Sequence, residues 1–206
     1  YSLKKLNWFN IGGNTKIYFK ASNLNDLINF LKLYGDNNNL FILGAGSNVL
    51  FKDDLFDGAV IKLSKNFSRI SLLNEDTIIA GSGALDKTLS EFALENSLGG
   101  FEFLSCIPGS VGGGIRMNSG CFEREFKDIL ISVQAINRSG EILTIPAKEI
   151  GFSYRSCDLG KDLIFLSATF KGNIKKKDKI EKEVNNLKAK KEMAQPTRIK
   201  TGGSTF

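Results

Sequence analysis

A chain of 206 residues, 42% hydrophobic and 24% charged, has an ordinary globular composition with room for one large domain or two small ones. No run of about 18 apolar residues and no charged-then-apolar leader is found, so no membrane partner is expected and the chain reads as cytoplasmic. Histidine is absent, which excludes Ser-His-Asp and Cys-His nucleophile schemes and the common zinc ligand sets.

The cysteines Cys106, Cys121 and Cys157 are odd in number and lack C-x-x-C spacing, which argues against a disulfide framework or a thiolate zinc site; reduced thiols and no metal are expected. Net charge is +6, but ten Lys and one Arg against four carboxylates put +7 between Lys171 and Lys200, leaving −1 for the rest. In that segment Ile180, Val184 and Leu187 follow the i, i+4, i+7 spacing of an amphipathic helix with a solvated Lys face. No aromatic side chain interleaves with the basic ones, so no nucleic acid is expected as partner.

The first unit reads strand, helix, strand, loop, strand. Lys16 to Lys20 alternates as a strand does. Ser22 or Asn23 caps a helix whose Leu24, Leu27, Ile28 and Leu31 form one face, and Leu40 to Leu43 is a short buried strand. Gly44-Ala45-Gly46-Ser47-Asn48 comes next, then an extended stretch and a strand at Ala59 to Leu63. A strand followed by Gly-x-Gly invites a dinucleotide-fold reading, but Val49 stands where the third glycine belongs and residues 50–58 do not open a helix. Gly44 to Asn48 offers instead a nest of backbone N–H groups for a pyrophosphate, with Ser47 and Asn48 as added donors.

The second unit runs from Arg69 to about Gly172. Hairpins are expected around Asn74-Glu75 and across Arg138 to Gly140, a helix over Ala84 to Asn96, and a strand over Leu163 to Phe170. Between them, Gly99 to Phe122 sets seven glycines among Phe101, Phe103, Leu104, Ile107, Val111, Ile115 and Met117. A surface loop would be filled with small polar residues, so this stretch reads as buried, tightly turning backbone that approaches a flat or phosphorylated ligand. The basic helix is expected to stop at Pro196, and a chain that opens on Tyr1 and closes on Phe206 just after a Gly-Gly-Ser turn is expected to be a fragment of a longer protein.

Seven segments in chain order carry a resemblance. They are Trp8 to Gly13, Leu43 to Leu50, Gly100 to Leu104 with Ile107 to Gly113, Met117 to Gly120, Tyr154 to Ser156, Gln195-Pro196, and Lys200 to Phe206. Together they resemble the UDP-N-acetylenolpyruvoylglucosamine reductases, in their shorter subtype. The resemblance implies an α+β fold: a two-subdomain FAD-binding fold of the PCMH type followed by an incomplete α+β substrate domain. Its boundaries fall at 1–66, 67–172 and 173–206. It also implies FAD as cofactor, NADPH as hydride source, UDP-N-acetylglucosamine enolpyruvate as substrate, UDP-N-acetylmuramate as product, a place in peptidoglycan precursor synthesis, and a monomer.

The same resemblance places residues. Gly44, Ala45, Gly46, Ser47, Asn48, Ile107, Pro108, Gly109, Ser110, Gly112 and Gly113 hold FAD. Arg155 is the active-site arginine and Ser204 the proton donor. Tyr154, Arg116, Asn118 and Lys200 contact substrate, with Arg116 and Asn118 open between flavin and substrate. Chemically, hydride addition to an enolpyruvate builds negative charge towards its carboxylate, which a planar guanidinium grips bidentately. The family's further catalytic glutamate near the C-terminus has no counterpart in this sequence. Glu102 and Glu123 flank the glycine stretch without a spacing that pairs them. Two other readings stay open: a flavin oxidase of the same fold, and an FAD-binding remnant without full activity.

Overall fold

The computed structural model describes residues 1–35 and 38–195. Two sheets organise it. The first contains β1 (Thr15–Ala21), β2 (Leu40–Ile42) and β3 (Phe56–Leu63), all parallel, in the order β1-β3-β2. Between β1 and β2 the chain crosses over through α1 (Leu24–Tyr34). Asn23 is the cap: its side chain accepts from the Asp26 amide at 2.9 Å, satisfying one of the first turn's free donors.

The second sheet is antiparallel, in the order β10-β9-β13-β5-β4. It is built from β4 (Ile70–Asn74), β5 (Thr77–Gly81), β9 (Leu130–Ile136), β10 (Ile142–Pro146) and β13 (Ile164–Lys171). Before β9 come α2 (Asp86–Glu95), β6 (Leu98–Gly99), α3 (Val111–Arg116), β7 (Gly120–Cys121) and β8 (Arg124–Glu125). Between β10 and β13 lies the small ribbon of β11 (Phe152–Ser153) and β12 (Ser156–Cys157); β14 (Asn173–Ile174) and α4 (Lys177–Ala194) come last.

Burial explains the arrangement. Under the second sheet, Phe101, Phe103, Phe126 and Phe170 meet edge to face with ring centroids 6.0 to 6.3 Å apart, the geometry aromatic quadrupoles favour. Leu27 and Leu31 of α1 pack against Ile61 of the first sheet and Ile136, Ile164 and Leu166 of the second, so one apolar layer joins the two units. The basic helix α4 buries Ile180 and Val184 while its lysines other than Lys191 face out, as its periodicity requires.

One segment differs from its sequence reading. Val111 to Arg116 is a helical turn and a half rather than irregular backbone. Glycine is a poor helix former, so tertiary contacts make it helical. A Cβ on Gly114 would lie 2.2 Å from Phe126 Cε2, and one on Gly112 3.0 Å from Ser82 Cβ. At Gly114 only bare backbone fits, and at Gly112 a methyl would crowd Ser82.

Candidate functional site: a glycine-lined cofactor cradle

At the end of β2 the Leu43 amide makes the last ladder bond, to Ile61 O at 2.8 Å, and the chain then leaves the sheet. Gly46 turns it with φ +77°, and a Cβ there would lie 2.2 Å from the Leu6 carbonyl oxygen. The Trp8 amide donates to Gly46 O at 2.9 Å and fixes the turn from the other side. Among the described residues, none of the amides of Gly44, Ala45, Gly46, Ser47 and Asn48 finds a protein acceptor. Gly44, Ala45 and Asn48 are exposed and Ser47 is half-buried. Consecutive free N–H groups on a tight turn form an anion-binding nest.

The second glycine segment meets the first at one side chain. Ser110 is buried, and its Oγ lies 2.6 Å from where a Cβ of Gly44 would stand and 3.5 Å from that of Gly113. Ser110 is held by a bridge to Leu85, in which the Asp86 amide donates to Gly109 O at 3.1 Å and the Val111 amide to Ala84 O at 2.9 Å. The Gly109 amide folds back onto Ile107 O at 3.0 Å, turning the chain at the exposed Pro108, and Gly112 donates to Ser82 O at 2.8 Å. The cradle's rim is thus rigid and its amides at 44–48 are left over.

Beneath Gly109 sits a residue that sequence reasoning missed. Asp86, in the first turn of α2, is wholly buried with no hydrogen-bond partner for either carboxylate oxygen among the described residues. Burial pushes its carboxyl up to about 8, so it is held as the neutral acid at neutral pH. The only signal in the sequence is an acid opening a helix, which ordinarily faces solvent.

Arg155 stands on the exposed turn between β11 and β12 with φ +56°. Its Nη2 donates to Gly120 O at 3.1 Å and its guanidinium lies 4.9 Å from the centre of the exposed Tyr154 ring. That leaves donors of the guanidinium fork directed to solvent or ligand. Asn118 lies wholly buried behind this turn, its Nδ2 donating to Ser153 O and to Glu125 Oε2, both at 3.1 Å, and its Oδ1 accepting from the Lys127 amide at 3.1 Å. The Lys127 ammonium, with a smaller contribution from Asn118, holds the Glu125 carboxyl below the usual carboxylate range. Arg116 turns inward: Nη1 donates to Leu159 O at 2.7 Å, Nη2 to Leu163 O at 2.8 Å, and its guanidinium carbon lies 4.3 Å from the Phe165 ring centre. Lys200 and Ser204, with Pro196 and the rest of 196–206, lie outside the described residues.

Residues 15–146 match the family described as FAD binding domain. The chain is 63% identical over all its 206 residues to the UDP-N-acetylenolpyruvoylglucosamine reductase of Pelagibacter ubique, of which it covers 68%, and 44% identical to that of Rickettsia felis, of which it covers 70%. The chain belongs to the UDP-N-acetylenolpyruvoylglucosamine reductase family. The crystal structure of the reductase from Thermus caldophilus superposes on the whole chain with TM-score 0.87 at 26% identity, with 73% of that chain covered. The reductase family brings with it an FAD-dependent oxidoreductase activity and the PCMH-type α+β fold. No helix among the described residues is long and apolar enough to cross a membrane.

The cradle fits that cofactor. FAD presents a doubly charged pyrophosphate and a flat ring, and the structure offers free amides at 44–48 and side-chain-free backbone where Gly44 meets Ser110.

Proposed function

We propose that the chain is the cytoplasmic, monomeric reductase that converts UDP-N-acetylglucosamine enolpyruvate to UDP-N-acetylmuramate with NADPH, a step of peptidoglycan precursor synthesis that serves cell shape and division. The observation that carries this reading is the run of free amides from Gly44 to Asn48 abutting Ser110, in a chain of this family. Residues 1–66 and 67–172 are the two FAD-binding subdomains, and 173–206 begins the substrate domain.

In this reading the amides of 44–48 and the Ser47 hydroxyl hold the pyrophosphate, while Ile107, Pro108, Gly109, Ser110, Gly112 and Gly113 form the opposite wall. Bound there, FAD supplies hydride taken from NADPH. Arg155 grips the substrate carboxylate and stabilises the enolate charge that develops when the double bond is reduced. Tyr154 shelves the substrate beside it. Ser204 gives its proton to the neighbouring carbon, and Lys200 adds positive charge near the sugar nucleotide. Arg116 and Asn118 act from behind, by fixing the walls of the cleft.

The test is made on purified protein. Flavin absorbance released on denaturation, together with NADPH oxidation accelerated by UDP-N-acetylglucosamine enolpyruvate, is the expected result. Flavin without substrate-dependent turnover would select the remnant reading, and NADPH oxidation that needs only air would select the oxidase.

A further inference from the structure

Glu102 has no partner nearby in the chain and finds its cation 73 positions on, at Lys175. It opens the 3-10 turn Glu102–Cys106, which runs directly into the Ile107 to Gly113 wall of the cradle. Its side chain is only 5% exposed; Oε1 accepts from Lys175 Nζ at 3.2 Å and Oε2 from the Gly100 amide at 2.7 Å. Lys175 also pairs with Glu183 of α4, and that carboxylate, ahead of Glu102, raises its ammonium above the ordinary lysine value against the pull of burial. A Cβ on Gly99 would lie 2.8 Å from Lys175 Cδ and 3.1 Å from Glu102 Oε1, so glycine there keeps open the channel through which the lysine stem passes. The stem is aligned by β14, which pairs Asn173 with Gly99 and Ile174 with Leu98, and by the Lys175 amide donating to Ser97 O at 2.9 Å.

The other end of the same turn is held as well. Half-buried Lys191, near the end of α4, donates through Nζ to Cys106 O, the carbonyl immediately before Ile107. One turn earlier on α4, Leu187 packs against the core that holds Phe103 and Leu104. Within the turn, Ser105 Oγ donates to Glu102 O at 2.7 Å and the Ile107 amide to Leu104 O at 3.1 Å, so its residues move together. A buried carboxylate stripped of its cation is strongly unfavourable, so the Glu102–Lys175 contact is not released without moving the turn. The match to the FAD binding domain ends at residue 146, and both lysines lie beyond it.

We propose that Lys175 and Lys191 are flavin-positioning residues: from outside the matched FAD-binding segment they clamp the 102–106 turn at both ends and so fix where the 107–113 wall of the cradle stands. The inference rests on the proposed place of FAD against that wall. Each lysine acts through the turn rather than on the cofactor, which makes the helix that follows the second sheet part of the flavin site.

Flavin release from the purified, flavin-loaded protein, followed by fluorescence after dilution, tests the clamp together with hydrogen exchange of peptides spanning 102–113. Lys175→Met and Lys191→Met should each release flavin at least tenfold faster and shift the visible circular dichroism of the bound ring. Exchange across 102–113 should quicken while peptides of α1 keep parental protection. Lys191→Arg, which retains a donor for Cys106 O, should behave as the parent. Should Lys175→Met fail to fold, Lys191→Met carries the test. Parental release rates in the methionine variants would overturn the clamp, as would exchange that rises equally in α1 and in 102–113, the mark of a general loss of stability. A parent that holds no flavin would overturn instead the reading of the cradle on which the inference rests.

Discussion

Asn118 donates a hydrogen bond to Ser153 O at 3.1 Å, two residues before Arg155, and so ties the exposed turn of the guanidinium to the buried floor of the second unit. The same amide meets Glu125 and the Lys127 backbone, which makes it the joint between β8 and the β11–β12 ribbon. Its φ of +39° suits Asn better than most side chains. Asn118→Ala removes three hydrogen bonds made by a wholly buried side chain, at a cost of about 0.5–1.5 kcal/mol each. The urea midpoint should fall, and turnover should fall with it while flavin stays bound. An unchanged midpoint would show that the joint carries no load.

Arg155→Ala should cost at least a hundredfold in turnover, and Arg155→Lys nearly as much, because a single ammonium cannot make the bidentate contact. Flavin content should match that of the parent, since Arg155 is held at Gly120 O and over the Tyr154 ring rather than by the 44–48 turn. Loss of flavin in either variant would place the arginine in the cradle instead.

Asp86 makes stability depend on pH. Its carboxyl titrates near about 8 when folded against an ordinary value of 3.8, so the folded chain holds a proton that the unfolded chain has lost between those values. The contribution is full below pH 3.8 and is lost as pH rises towards 8, by about 1.4 kcal/mol per unit; above 8 the slope from this group vanishes. Asp86→Asn keeps the shape without the titration. Urea midpoints measured between pH 5 and 8 should decline in the parent and stay flatter in the variant; parallel declines would refute the assignment.

Gly46→Ala adds a Cβ 2.2 Å from the Leu6 oxygen at φ +77°. Either the turn shifts or the N-terminal segment does, and in both cases the free amides lose their common direction. Bound flavin per chain, read from absorbance, should fall by more than tenfold; parent-level flavin would show that the nest is not the binding feature.

Gly114→Ala drives a methyl to 2.2 Å from Phe126 Cε2 in the core, and overpacking of this kind costs about 1–3 kcal/mol. Phe126→Leu in the same chain makes room, so the double variant should be less destabilised than the sum of the singles. Additive losses in thermal unfolding would argue against this contact.

Local pattern was enough for much of the architecture. The spacing of Leu27 and Leu31 defines the buried face of α1, the alternation in Lys16 to Lys20 defines a strand, and the Val49 mismatch already rules out a nucleotide-binding helix after β2, because side-chain periodicity records which face meets the core. The glycines of 44–48 also announce a nest, since few other residues leave so many amides bare. What the sequence by itself could not determine depends on residues far apart in the chain. Gly112 and Gly114 are helical because Ser82 and Phe126 stand over them; Asp86 is a neutral acid because the 107–110 turn closes on it; Asn118 and Arg116 face inward because carbonyls at 153, 159 and 163 are there to receive them. Propensity and periodicity act within a turn or two of chain, whereas burial and electrostatics act through space, and only the folded structure says which residues share it.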